Sequence, residues 1–207
     1  MSSPLPRLVL ITDWEMGERA LLEAVEDVLP LGPAVAIQHR HPGAEGRELL
    51  REAWLLAARC ERFGVPLFVN ERLDVALLVR AHLHLPARGP DVSDVRPFLP
   101  EGKWISVAVH DEREAERARG ADLALVSPVF GAGSKPDDAR ARLGPDGFAR
   151  LAQRLDCPAF ALGGVNAERC RRLPPDLTAG VAAISAVLQA PRPRDAAEAL
   201  LAAIARR

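Results

Sequence analysis

Leu123-Ala-Leu-Val-Ser-Pro-Val-Phe-Gly-Ala-Gly-Ser-Lys-Pro136 decides how this chain is read: a short apolar β run opens directly into a glycine-rich loop that ends on Ser134-Lys135. The run is continuously apolar, as expected of a strand buried on both faces. Backbone N–H groups freed by glycine, together with an ammonium group, suit a phosphate. Lys135 is one of two lysines beside twenty-five arginines. The alternative at this point is a flexible turn that happens to carry a lysine.

Seven further runs resemble it. Leu8–Thr12, Ala34–Gln38, Pro66–Asn70, Ala81–Leu85, Trp104–Val109, Pro158–Leu162 and Gly180–Ile184 are short and mostly apolar, and with Leu123–Ser127 they predict eight strands. Longer segments with helical period lie between and after them: Gly17–Leu29, Glu45–Phe63, Leu73–Arg80, Val92–Phe98, Glu112–Arg119, Asp146–Leu155, Ala167–Arg172 and Arg194–Ala205. Strict β–α alternation requires parallel strands, and eight units in 207 residues match a small (β/α)8 TIM barrel better than a doubly wound sheet. No Pro/Gly/Ser-rich stretch is long enough to divide the chain, so residues 1–207 are expected to form one α/β domain.

The totals exclude several function classes. A net charge of −1 argues against a nucleic-acid or membrane-surface binder, and a small-molecule partner is expected. Cys60, Cys157 and Cys170 make an odd set without C-x-x-C spacing, so neither a disulfide framework nor a zinc site is indicated. No segment reads as a signal peptide or membrane span, and the expected location is the cytoplasm.

In a barrel, function collects on the loops at the C-terminal ends of the strands. Gly163-Gly164 after strand seven, and Ile184-Ser185 at the head of a short helix Ser185–Gln189, occupy the place where barrels commonly bind phosphate. His110 ends the run Ile105-Ser-Val-Ala-Val-His110 and is the best acid/base candidate, its alternative role being a helix cap beside Asp111. Arg40 suits a carboxylate or phosphate, or a surface ion pair. His39-x-His41 and His82-x-His84 each put two imidazoles on one strand face, but no third ligand is evident and no metal is expected. If Gln38 and Arg40 face the barrel mouth, His39 and His41 face outward.

Taken together these positions resemble the thiamin phosphate synthase/TenI superfamily over almost the whole chain. The stretches that carry the resemblance are Leu10-Ile-Thr-Asp13, Ile37-Gln-His-Arg40, Leu67-Phe-Val-Asn-Glu-Arg-Leu-Asp-Val-Ala-Leu77, His84-Leu85, Ser106-Val-Ala-Val-His110, Gly120-Ala-Asp-Leu-Ala-Leu-Val-Ser-Pro-Val-Phe130, Ser134-Lys-Pro136, Ala161-Leu-Gly-Gly-Val165 and Gly180-Val-Ala-Ala-Ile-Ser185. The resemblance implies a (β/α)8 barrel, in agreement with the strand count.

The departures bear on the reaction. The synthases carry Gln-x-Arg-x-Lys after strand two, where this chain has Gln38-His-Arg40-His-Pro42; they carry Asn-Asp after strand three, where it has Asn70-Glu71. After strand four they carry His-x-Gly-Gln and acidic residues that help hold Mg²⁺, where it reads His84-Leu-Pro-Ala-Arg-Gly89, an arginine standing about where a metal carboxylate belongs. The resemblance therefore implies the thiazole tautomerase branch first, whose members also show Leu-Pro after strand four. In that reading no cofactor is needed, and His110 moves a proton on a thiazole carboxylate phosphate. Gly163, Gly164, Ile184 and Ser185 grip the phosphate, Ser134 and Lys135 close over it, and Gln38, Arg40 and Asn70 meet the rest of the substrate. The second reading is a divergent Mg²⁺-dependent thiamin phosphate synthase, and the third a barrel that binds thiazole phosphate without turnover. Homo-oligomer formation stays open, with Trp54 available to a helix interface as well as to the core.

Overall fold

The computed structural model describes residues 4–131 and 142–205. Eight parallel strands close on themselves in chain order, β8 pairing back onto β1. They are β1 (Leu8–Ile11), β2 (Val35–His39), β3 (Leu67–Asn70), β4 (His82–Leu85), β5 (Ile105–Val109), β6 (Leu123–Val126), β7 (Ala159–Leu162) and β8 (Gly180–Ala183). Closure leaves no sheet edge, so every strand is paired on both sides.

The helices follow as expected: α1 (Glu18–Val28), α2 (Gly46–Phe63), α3 (Leu73–Leu78), α4 (Val92–Val95), α5 (Glu112–Arg117), α6 (Gly144–Ala152), α7 (Ala167–Cys170), α8 (Ser185–Leu188) and α9 (Pro193–Ala205). The differences from the sequence reading are at element ends, with α6 beginning at Gly144 rather than Asp146. A 3₁₀ turn over Trp14–Met16, which period alone does not reveal, is capped by the Asp13 side chain. Among the described residues no helix is long and apolar enough to cross a membrane.

Strand period two divides the apolar residues into two cores. Outward-facing residues such as Leu8, Leu10, Ile37, Val69, Leu83 and Ile105 pack under the helices in the large core. Val9, Ile11, Ala36, Phe68, Trp104, Leu123, Leu125, Phe160 and Ala182 fill the barrel interior. These inward residues occupy the lower part of the barrel. Continuing the same period toward the C-terminal strand ends brings polar residues inward: Gln38, Asn70, His84, Ser106 and Ser127. The sequence thus builds an apolar plug beneath a polar mouth.

Trp54 is not part of the core. It is 52% exposed on α2, beside a groove of about 1130 Å³ that includes Leu78, Arg80, His82, Lys103 and Trp104. The groove borders the N-terminal starts of the strands, away from the polar mouth. Barrel chemistry collects at the other end, so the site is sought there.

Candidate active site

The register sets the floor of the mouth. Asn70 of β3 lies opposite His84 of β4, and His84 lies opposite Ser106 of β5. His84 Nδ1 and Ser106 Oγ are 2.7 Å apart, and both side chains are buried. Burial pushes the His84 imidazole down to about 3, and the nearby charges of Arg40 and His110 push in the same direction. His84 is therefore a neutral polar group beneath two cationic or titratable ones.

Gln38 sits on β2, 2% exposed, and its carboxamide oxygen Oε1 is buried without a hydrogen-bond partner. An acceptor left in that state costs about 1–3 kcal/mol unless a ligand or water supplies an N–H or O–H. Arg40, two residues on, is half-buried at the rim. Thr12 Oγ1 donates to the Arg40 carbonyl at 3.1 Å and accepts from its N–H at 2.9 Å, fixing the backbone that carries the guanidinium.

His39 and His41 face away from the mouth, as period two requires. His39 is wholly buried: Trp14 Nε1–H donates to its Nδ1 at 3.2 Å, while its Nε2 lies 3.2 Å from the Leu49 carbonyl. Burial lowers this imidazole to about 4. His41 stacks on Trp14 with ring centroids 5.7 Å apart and bonds the Glu52 carboxyl through Nδ1 at 3.0 Å. His82 accepts from the Trp104 backbone N–H at 2.9 Å and stacks on its indole. All four strand histidines thus serve packing or the mouth's floor.

His110 follows β5 and is inward by the same period as Ser106. Its Nδ1 lies 2.7 Å from Glu114 Oε2, and the same oxygen accepts its backbone N–H at 2.7 Å. A carboxylate only accepts, so Nδ1 carries a proton, and whenever the ring is neutral its lone pair lies on Nε2. Capping does not occupy His110. That role falls to Asp111, whose carboxylate accepts from the Glu114 N–H at 2.9 Å. Glu114 was legible as an i, i+4 neighbour of His110 but was not singled out.

A cavity of about 380 Å³ opens at the ends of β7 and β8, lined by Gly163, Gly164, Ile184, Ser185, Arg169 and Gln189 among others. The first amides of α8, those of Ser185 and Ala186, precede its first helical hydrogen bond and are free for an acceptor. The glycines have a role beyond the one expected. Gly163 and Gly164 have φ of 98° and 60°, and a Cβ on Gly164 would stand 2.3 Å from the Gly131 carbonyl oxygen. Their bareness lets Gly131, in the loop after β6, seat on the loop after β7. Ser134 and Lys135 lie outside the described residues.

The resemblance to the synthases implies magnesium, and among the described residues the donors do not fit it. After β3 the carboxylate is Glu71, exposed and at φ 67°. After β4, Arg88 is exposed, while Asp91 caps α4 and pairs with Arg117 at 2.7 Å. Among the described residues no group of three or more His, Cys, Asp or Glu side chains could hold a metal ion. A hard divalent cation needs several convergent oxygens, and one exposed glutamate does not supply them.

With this geometry in hand, comparison with known proteins is decisive for the family. A family profile described as thiamine monophosphate synthase matches residues 8–187. The chain belongs to the thiamine monophosphate synthase family. It is similar to a thiamine-phosphate synthase of Clostridium perfringens (strain SM101 / Type A), 32% identical with 94% of each chain covered. It is also similar to one of Chlorobium luteolum, 36% identical over 98% of this chain and 95% of the relative. Among solved structures, a thiamine phosphate pyrophosphorylase from Pyrococcus furiosus superposes with a TM-score of 0.83 at 29% identity, covering 97% of this chain and 96% of that one. Membership in the family agrees with the resemblance read from the motifs, and the Pyrococcus barrel with the fold.

Proposed function

We propose that this chain acts on a thiazole phosphate, held with its phosphate at Gly163, Gly164, Ile184 and Ser185 and its ring in the polar mouth, and that the reaction is a proton shift at the ring. The observation that carries the reading is the His110–Glu114 pair at the rim of a mouth that, among the described residues, has no magnesium donor set. Nε2 of His110 takes the ring C–H proton of a 2-carboxy-thiazol-5-ylidene ethyl phosphate. The electron pair passes through the ring, a proton is delivered to the exocyclic carbon, and the thiazole becomes aromatic with no net gain or loss of atoms. His110 as a positioned proton-transfer group is worth about 10²–10⁴ in rate, and Glu114 holds its imidazole in one tautomer and balances its charge while the proton is on it. Arg40 meets the ring carboxylate, and Gln38 and Asn70 contact the rest of the ring system. No cofactor enters this scheme.

The relatives favour a second reading over this one. Those from Clostridium and Chlorobium are named thiamine-phosphate synthases, and at 32–36% identity over nearly full length they argue for a transferase. In that reaction the thiazole nitrogen attacks the methylene of a pyrimidine pyrophosphate, a C–N bond forms, the C–O bond breaks and pyrophosphate leaves. The same cavity holds the thiazole phosphate. Pro42, Glu71 and Arg88 weigh against it, because they remove a lysine, lengthen one and replace the other of the carboxylates that would gather the pyrophosphate and its Mg²⁺.

One purified sample separates the readings. Aromatisation of the ylidene phosphate that is lost in His110→Ala supports the proton shift. Pyrophosphate release from the two synthase substrates with Mg²⁺, without tautomerase turnover, overturns it in favour of coupling. Binding of thiazole phosphate with neither turnover leaves a binding protein.

A further inference from the structure

Among the described residues one charged side chain lines the phosphate cavity, and neither its sequence pattern nor the family's motifs single it out. It is Arg169, in α7. Its backbone N–H donates to the Asn166 side chain at 2.8 Å, so the start of α7 fixes where the side chain begins. Its guanidinium lies 5.7 Å from the Phe130 ring centroid. Through Nη1 it donates to the Gly164 carbonyl at 2.7 Å and the Gly131 carbonyl at 3.2 Å.

These contacts use one edge and one face of a planar group with five donors. Nε and Nη2 make no hydrogen bond to the described residues. A half-buried guanidinium whose Nε and Nη2 are uncommitted among the described residues, lining the same cavity as Ser185 and Ala186 of α8, is poised for an anion. Arg172 covers the Phe130 ring as well, at 5.6 Å, but is exposed and does not line the cavity.

We propose that Arg169 is a phosphate-binding residue of this site. It adds positive charge to the cavity and, by bridging the Gly131 and Gly164 carbonyls, ties the start of the loop after β6 to the loop after β7. The proposal rests on the reading of this cavity as the thiazole phosphate subsite. A phosphate here meets the amides of α8 on one side and a guanidinium on the other, a charge-assisted contact stronger than amides alone. The carbonyl bridge holds the guanidinium in place before the ligand arrives, which limits the ordering cost of binding.

The test is titration calorimetry with thiazole phosphate and, separately, inorganic phosphate on the wild-type protein, Arg169→Lys and Arg169→Gln. Arg169→Gln keeps a donor for the carbonyls and removes the charge, whereas Arg169→Lys keeps the charge. The expected result is at least about a tenfold loss of affinity in Arg169→Gln, substantial recovery in Arg169→Lys, and a flatter salt dependence in the glutamine variant alone. Melting temperatures identify either variant that fails to fold, and the other then carries the comparison. Wild-type binding matched by Arg169→Gln at every salt concentration overturns the proposal and leaves the phosphate subsite standing. Binding of inorganic phosphate but not of thiazole phosphate, still lost in Arg169→Gln, supports Arg169 and overturns the substrate reading. A wild-type protein that binds neither overturns both.

Discussion

Acid should destabilise this barrel well before its carboxylates titrate, because three imidazoles are held neutral in the fold. Burial lowers His39 and His82 to about 4 and His84 to about 3, against 6.5 for an ordinary imidazole. The folded values lie below the unfolded one, so as pH falls the unfolded chain takes up protons first. Stability is therefore fully present above about pH 6.5 and is lost as pH drops toward the folded values. Between about pH 7.5 and about pH 5.5 each group contributes a loss of about 1.4 kcal/mol, and the three together about 4 kcal/mol. One group opposes them. Burial raises the Glu52 carboxyl beside His39 and His41, so the folded state gains a proton there and recovers part of the loss. For a domain worth about 5–15 kcal/mol the remainder is large. Urea unfolding followed by tryptophan fluorescence at a series of pH values measures it. His84→Gln should remove about a third of the pH-dependent loss whatever it does to stability at neutral pH. A midpoint that stays constant from about pH 7.5 to about pH 5.5 would refute the assignment of three neutral buried imidazoles.

Two further outcomes are expected. Gly164→Ala places a methyl 2.3 Å from the Gly131 carbonyl oxygen at a φ of 60°, so it should cost about 1–3 kcal/mol of stability by chemical denaturation and raise KM for the phosphate substrate. Glu114→Gln keeps a hydrogen-bonding side chain near His110 but removes the negative charge, so kcat of the proton shift should fall with little change in KM, as steady-state kinetics will show.

The fold was legible because each strand is a short apolar run ended by a polar residue, and the runs recur with helices between them. Only the ends moved, as at Gly144. The placement of His39 was legible for the same reason: period two sends it outward once Gln38 is inward. Less was legible where the determining contact is long-range. Arg169 lies three residues after an unremarkable Asn166, and nothing local marks it. Its place in the cavity depends on Gly131, 38 residues earlier. The neutrality of His84 likewise depends on Ser106 and on burial, which no local pattern records. The glycines were read as leaving room for a ligand, but part of that room is taken by a neighbouring loop.

That last contact limits how the barrel can be re-engineered. Where loops are modular, the segment after one strand is swapped to change substrate preference while its neighbours stay. Here the carbonyl of Gly131 fills the space that any side chain at Gly164 needs, and Arg169 clasps both backbones. A graft that replaces the loop after β6 must bring the loop after β7 and the first turn of α7 with it. The three segments form a single transferable cassette.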